Sequence, residues 1–177
     1  MNEKIDIERG TAEGFLKLYN QYYETSFEID EISDSPDVRC IDESGERLNI
    51  EITMTEDESG TIQAFLGRSS KLSLYTLKEQ NKRTSEGLEA PRFHTIETSY
   101  EVLVERINSK LQKDYGSNAA LVIRDVSGMD WEWETIVDRL SDNINLSINP
   151  FSKGIWLLSF RGEKLFRLIG KTHGTTT

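Results

Sequence analysis

Cysteine, histidine and proline are scarce in this chain of 177 residues, which contains one, two and three of them respectively. A lone Cys40 cannot form an intramolecular disulfide, and no Cys/His cluster has metal-ligand spacing, so the sequence excludes a disulfide scaffold and a zinc site. No apolar run approaches the roughly 20 residues that span a bilayer, and the first residues do not resemble a signal peptide. We therefore expect a cytoplasmic protein with no membrane segment, in which Cys40 is a small buried hydrophobe.

Several sequence motifs of common enzymes are also missing. The chain has no Gly-x-Gly-x-x-Gly motif, no P-loop and no Gly-x-Ser-x-Gly elbow. Dinucleotide binding, nucleoside triphosphate binding and hydrolysis by a catalytic triad therefore have no specific residue to support them.

Basic side chains are few in the first third, where residues 1–60 carry 17 acidic and 5 basic groups. With a net charge of -10, the chain does not suit a protein that coats nucleic acid through a general positive field. Basic residues outnumber acidic ones by six to three within segment 68–92. If the chain contacts DNA phosphates, we expect the contact in this segment; a solvated basic loop is the alternative.

A hydrophobic content of 36% is sufficient for one domain with its own core. We expect a single domain over residues 1–170 and a disordered tail over 171–177. Apolar spacing of three and four residues predicts helices over about 11–24, 65–77, 98–113 and 131–142. Thr11 is the expected N-cap of the first helix, and Thr98 forms a capping box with Glu101. Residues 81–92 are expected to be an irregular loop.

Strand patterns are found at residues 26–32, 37–43, 47–54, 119–123, 155–160 and 164–169. The first is expected at a sheet edge, and 119–123 is an unbroken apolar run typical of a strand covered on both faces. Trp131, Trp133 and Trp156 could stack on bases, but we expect them to be buried. His94 is expected to be an ordinary polar residue.

The strands 37–43 and 47–54 are predicted to form a hairpin around Gly45. Since side chains alternate between the faces of a strand, one face of the hairpin carries a polar row: Asp37, Arg39, Asn49, Glu51 and Thr53. Two carboxylates on neighbouring strands suit a hard cation such as Mg²⁺, which takes oxygen ligands. Asp37 and Glu51 are therefore candidate metal ligands.

The order of elements resembles the restriction-endonuclease-like superfamily, the PD-(D/E)xK nucleases, over about residues 11–125. A helix and a short strand precede the strand of Pro36-Asp37, and the strand of Glu51, a helix and a buried strand follow. The passage from Ile107 to Tyr115 is similar to the helix-to-strand passage of several such families. The resemblance implies an α/β fold with a central mixed sheet flanked by helices. It also implies that Asp37 and Glu51 bind Mg²⁺ or Mn²⁺ and that the protein hydrolyses DNA phosphodiester bonds.

The lysine of this motif falls two residues after the glutamate, and this chain has Thr53 there. Threonine can donate a hydrogen bond but cannot supply the positive charge that stabilises the transition state. Members of the superfamily relocate this lysine, so the resemblance leaves Arg68, Lys71 and Lys78 as substitutes, with Lys71 preferred. Glu13 of the first helix is a candidate for a further carboxylate.

Two other functions remain open from the sequence. The chain could be a catalytically inactive nuclease-like domain that binds protein or nucleic acid, with Arg39 paired to Asp37 or Glu51 in place of the cation. It could also be an acidic decoy that mimics nucleic acid through its first third. A homodimer is one oligomeric state that the sequence leaves open.

Overall fold

The computed structural model describes residues 3–55, 96–126, 133–159 and 161–168. These residues form three α-helices, one 3₁₀ turn and six strands. The helices are α1 (Glu3–Tyr23), α2 (Ile96–Leu111) and α3 (Trp133–Asn143), and the 3₁₀ turn is Leu146–Ile148. The strands are β1 (Glu28–Ile32), β2 (Val38–Ile41), β3 (Arg47–Met54), β4 (Ala119–Arg124), β5 (Gly154–Leu158) and β6 (Leu165–Leu168).

The six strands form one mixed sheet in the order of the chain, β1 to β6. Strands β1, β2 and β3 pair antiparallel, β3, β4 and β5 pair parallel, and β6 returns antiparallel to β5. An α/β fold with a mixed sheet flanked by helices is thus confirmed. The predicted hairpin, the predicted edge position of β1 and the buried strand β4 are confirmed as well.

Each face of the sheet has its own hydrophobic cluster. On one face, Phe15 and Tyr19 of α1 pack with Trp156 of β5 and with the even-numbered residues of β3. On the other face, Leu103, Ile107 and Leu111 of α2 share a cluster with α3 and with alternate residues of β4 and β5. The odd-numbered residues of β3 belong to this second face because side chains alternate along a strand.

Strand β1 lies at an edge of the sheet and is strongly charged. Its residues Glu28, Asp30 and Glu31 are exposed, while Ile29 and Ile32 are half-buried. The pairing with β2 is irregular between Ile29 and Glu31. The other edge, β6, packs against α3.

Two helix starts differ from the sequence prediction. Helix α1 begins at Glu3, so Thr11 lies within the helix, fully buried, where its hydroxyl accepts a hydrogen bond of 3.3 Å from Arg124 Nη1. The predicted N-cap at Thr11 was therefore wrong, because this hydroxyl faces the sheet rather than a helix terminus. Helix α2 begins at Ile96, which places Thr98 inside the helix and contradicts the predicted capping box.

The predicted burial of single side chains is confirmed where the structure describes them. Trp133 and Trp156 are buried, and so is Cys40. Burial raises the pKa of the Cys40 thiol to about 12, which fits an unreactive hydrophobe. The predicted helix 65–77, the loop 81–92, Trp131, His94 and the tail 171–177 lie outside the described residues. Among the helices of the described part, none is long and apolar enough to cross a membrane.

Candidate metal site

The register of the β2–β3 hairpin brings Asp37 and Glu51 together. Val38 pairs with Ile50 and Arg39 with Asn49, so Asp37, the residue before β2, lies opposite Glu51 on the same face. Both carboxylates are buried, with 7% and 4% of their surfaces exposed. Two acidic groups are thus held side by side within the protein, as the alternation of the hairpin predicts.

A backbone hydrogen bond fixes the Asp37 side chain. Its Oδ2 accepts a hydrogen bond of 2.7 Å from the Ile52 N–H. The backbone pairing between β2 and β3 ends at the Val38–Ile50 pair. The Ile52 N–H lies beyond this pair and donates to the Asp37 carboxylate instead of to a backbone carbonyl of β2. This contact holds Asp37 against β3 at the position of Glu51.

Glu51 contacts a lysine that the sequence motif did not indicate. Lys110, in the last turn of α2, donates a hydrogen bond from Nζ to Glu51 Oε1 and forms an ion pair with it. The side chain of Glu51 is 6% exposed and that of Lys110 is 25% exposed, so the ammonium group reaches inward from the protein surface. A cation therefore lies beside the two carboxylates although position 53 is a threonine.

The other oxygen of Glu51 has no such contact. Within the described residues, Glu51 Oε2 is buried and has no hydrogen-bond partner. Burial raises the pKa of Glu51, the Lys110 hydrogen bond opposes this rise, and the nearby charge of Asp37 adds to it. The carboxylate is therefore poorly stabilised, and a further cation would stabilise it.

We predict that Glu51→Gln stabilises the protein at pH 7.5. The folded state raises the pKa of Glu51 above its ordinary value of about 4.5. The contribution of Glu51 to the free energy of unfolding is therefore present at pH values below 4.5. It is lost as the pH rises through the higher pKa of the folded state. The neutral amide avoids that loss. Urea denaturation should give a higher free energy of unfolding for the variant at pH 7.5 and a smaller difference at pH 4.

The matched control is Glu46→Gln, which removes an exposed acid paired with Lys153. We expect no comparable gain in stability at pH 7.5 from this control. A Glu51→Gln protein that is less stable than the wild type at pH 7.5 would contradict the prediction.

The remaining candidates from the sequence are placed as follows. Thr53 is buried on the same face as Glu51, two residues further along β3. Arg39 does not pair with Asp37 or Glu51: its Nη1 lies 2.7 Å from Glu31 Oε2 on β1. Glu13 is exposed on α1, which packs on the opposite face of the sheet, so it does not join the pair.

The preferred substitute lysine, Lys71, lies outside the described residues, as do Arg68 and Lys78. The sequence alone does not assign Lys110 to the site, although Lys110 lies in the passage from Ile107 to Tyr115 that carries part of the resemblance. The available signal was its spacing, since Lys110 lies three residues after Ile107 and directly before Leu111, at the border of the apolar stripe of α2.

No family model, no curated protein and no solved structure matches the chain. Among the described residues there is also no group of three or more His, Cys, Asp or Glu side chains that could hold a metal ion. Any functional conclusion therefore depends on the geometry of Asp37, Glu51 and Lys110.

Proposed function

We propose that this protein is a metal-dependent nuclease of the restriction-endonuclease-like type, which hydrolyses DNA phosphodiester bonds with Mg²⁺ or Mn²⁺. One observation carries the proposal: two buried carboxylates, Asp37 and Glu51, lie on one face of a hairpin with the ammonium group of Lys110 against one of them. Two carboxylates and a cation are the groups that cleavage of a phosphodiester by water requires.

The residues fit a hard divalent cation. Their donor atoms are carboxylate oxygens, the type that Mg²⁺ and Mn²⁺ prefer, and such sites commonly use one or two protein carboxylates. The buried Oε2 of Glu51, with no hydrogen-bond partner in the described part of the chain, is an acceptor that such a cation would satisfy. Asp37 and Glu51 would hold the ion, which when bound polarises the phosphodiester and activates water.

Lys110 would perform the task of the lysine that position 53 lacks. Its side chain is partly exposed, so the ammonium group can face substrate while it stays beside Glu51. A fixed positive charge at this place would stabilise the negative charge that develops on the phosphoryl oxygens during cleavage. Thr53 is too short to do this and carries no charge.

The arrangement of secondary structure supports the same proposal. The described elements follow in the order that the resemblance implies: helix α1, strand β1, strand β2 preceded by Asp37, strand β3 with Glu51, helix α2 and the buried strand β4. Strands β3 and β4 are parallel, and the last turn of α2 contacts Glu51 through Lys110.

A second candidate function is a domain that keeps this scaffold without catalysis. The specific observation in its favour is the ion pair itself, because Lys110 already neutralises Glu51, as a bound cation would. The lack of a third ligand-type side chain near the pair, among the residues described, agrees with it. Metal binding separates the two candidates.

The proposal is tested by Mn²⁺ calorimetry and by nicking of supercoiled plasmid, with Glu51→Gln and the control Glu46→Gln. We expect the wild type to bind Mn²⁺ and to nick the plasmid, and EDTA to stop the reaction. Glu51→Gln should bind Mn²⁺ at least about tenfold more weakly and nick more slowly, because it loses a charged ligand. The control should match the wild type in both measurements.

Absence of Mn²⁺ binding and of nicking by the wild type would refute the nuclease proposal and favour the non-catalytic domain. Equal nicking by the wild type and Glu51→Gln would point to a contaminating nuclease. Urea denaturation at pH 7.5, in which we expect Glu51→Gln to be more stable than the wild type, is the measurement that separates a loss of activity from unfolding.

A further inference from the structure

Helix α2 and the turn after it carry three positive side chains in one row: Arg106, Lys110 and Lys113. Arg106 and Lys110 are four residues apart on the helix, so they lie on the same side of it, one turn apart. Beyond Leu111, the Lys113 N–H donates a hydrogen bond of 3.2 Å to the Lys110 carbonyl oxygen. A bond between residues three apart is typical of a 3₁₀ turn, in which the two side chains lie above one another. Lys113 therefore continues the row, which we call the basic row.

The basic row follows strand β3. Arg106 Nη1 donates a hydrogen bond of 3.3 Å to the carbonyl oxygen of Met54, the last residue of β3. Lys110 Nζ donates to Glu51 Oε1, three residues earlier on the same strand. The earlier residue of the helix thus contacts the later residue of the strand, so α2 runs antiparallel to β3. The row therefore lies along the border of α2 that faces β3, beside the candidate metal ligands.

The basic row is accessible from outside the protein. Lys113 is exposed, Arg106 is half-buried, and 25% of the Lys110 side chain is exposed. Within the described residues, no ion pair involves Lys113. The row is thus open to a ligand at the surface of α2.

The acidic side chains of α2 lie outside the basic row. Glu105 is exposed about 100° around the helix axis from Arg106, and Glu101 is exposed one turn before Glu105. In the turn after α2, the Asp114 carboxylate accepts a hydrogen bond of 2.8 Å from the Gly116 N–H, which holds it in the turn. The row is therefore a strip of positive side chains in a chain whose net charge is -10.

We propose that the basic row binds backbone phosphates of one DNA strand and holds that strand over the candidate metal site. Lys110 faces the scissile phosphodiester, while Arg106 and Lys113 bind the phosphates on either side of it. This inference rests on the proposed nuclease function, which supplies DNA as the ligand. Contacts to phosphates carry no sequence information, but they fix the position of the strand on the protein.

The length of the basic row suits a strand of DNA. Seven residues of helix from Arg106 to Lys113 span roughly 10 Å, more than a single phosphate group can cover. One strand of a duplex carries a phosphate about every 3.4 Å along the helix axis, so a row of this length matches about three consecutive phosphates. Three positive side chains are then matched by three negative groups.

The test is the salt dependence of DNA affinity in Lys113→Gln and Arg106→Gln. Affinity for a fluorescein-labelled duplex is measured by anisotropy between about 50 and 200 mM salt, with Ca²⁺ in place of Mn²⁺. The matched control is Arg139→Gln on α3, which packs against β6 at the other edge of the sheet. The Arg139 guanidinium is exposed and lies 4.4 Å from the centroid of the Tyr100 ring.

Each glutamine variant of the row should lose one phosphate contact. The slope of the logarithm of affinity against the logarithm of salt concentration should become less negative by about 0.9, and affinity should fall about tenfold at about 0.1 M salt. The fall should be equal for two duplexes of unrelated sequence. Arg106→Lys, which keeps the charge, should keep the wild-type slope, and so should Arg139→Gln. Lys113→Gln should melt at the wild-type temperature because Lys113 is exposed.

Wild-type slopes for both Lys113→Gln and Arg106→Gln, in a protein whose wild type binds Mn²⁺ and nicks plasmid, would overturn the role of the basic row and leave the nuclease function standing. An equal change of slope in Arg139→Gln would also overturn it, since any surface cation would then have the same effect. The expected slopes in a wild type that neither binds Mn²⁺ nor nicks plasmid would support the row and refute the nuclease. A wild type that does not bind the duplex would refute both.

Discussion

Lys110→Met is expected to slow plasmid nicking about 100-fold, because it removes the positive charge beside Glu51 and leaves a side chain of similar length. Mn²⁺ affinity should be equal to that of the wild type or higher, since the ammonium group no longer competes with the ion for Glu51. Initial nicking rates and Mn²⁺ calorimetry measure the two effects separately. A lower nicking rate with an unchanged Mn²⁺ affinity would assign to Lys110 the role that the motif gives to a lysine on β3.

Lys153→Met is the matched control for this variant. Lys153 also forms an ion pair with a glutamate, since its Nζ lies 2.9 Å from Glu46 Oε1, but this pair is at the surface. The control should nick plasmid at the wild-type rate, because an exposed ion pair contributes little to stability and this one lies away from Glu51. Wild-type nicking by Lys110→Met would refute the catalytic role of Lys110.

Lys110→Met is also expected to lower the free energy of unfolding, because it leaves Glu51 charged, buried and without its lysine. Breaking a buried pair in this way is costly, whereas replacing both partners by neutral groups is not. The double variant Lys110→Met with Glu51→Gln should therefore recover stability in urea denaturation without recovering activity. Recovery of both would mean that the single variant had simply unfolded.

Phe15→Ala is expected to lower the free energy of unfolding by about 3–5 kcal/mol, the usual cost of removing a buried aromatic ring. Phe15 is fully buried in the centre of α1, with ring centroids 5.0 Å from Tyr19 and 6.1 Å from Trp156. The cost is a large share of the roughly 5–15 kcal/mol that stabilises a typical domain. Urea denaturation followed by tryptophan fluorescence at low temperature measures it.

Tyr22→Ala on the same helix is the control for Phe15→Ala. Tyr22 is 74% exposed, so its loss should change the free energy of unfolding by no more than about 0.5 kcal/mol. Similar losses for the two variants would mean that α1 does not bury its Phe15 face against the sheet. That result would contradict the fold itself.

Much of the scaffold could be predicted from the sequence because its signals are local. Alternation of apolar and polar side chains identified the β2–β3 hairpin and the shared face of Asp37 and Glu51. An unbroken apolar run identified β4 as a strand covered on both faces. Helix starts were less reliable: Thr11 has the residue type of an N-cap, but its hydroxyl contacts Arg124 of β4. Contacts of this kind depend on tertiary structure.

The contact of Lys110 with Glu51 could not be predicted from the sequence for a related reason. Lys110 and Glu51 are 59 positions apart, and their contact depends on how α2 is rotated about its axis as it packs on the sheet. Spacing shows that Lys110 borders the apolar stripe of α2, but not which strand residue lies beneath it.

The charged strand β1 has a consequence for how this protein behaves in concentrated solution. An edge strand exposes unpaired N–H and C=O groups, which can recruit a strand from a neighbouring molecule and start aggregation. Glu28, Asp30 and Glu31 are exposed on this strand, and its irregular pairing after Ile29 disturbs the regular edge. A second molecule that approached this edge would meet repulsion between like charges. The three acidic residues of β1 thus oppose the addition of a strand from a second molecule at this edge of the sheet.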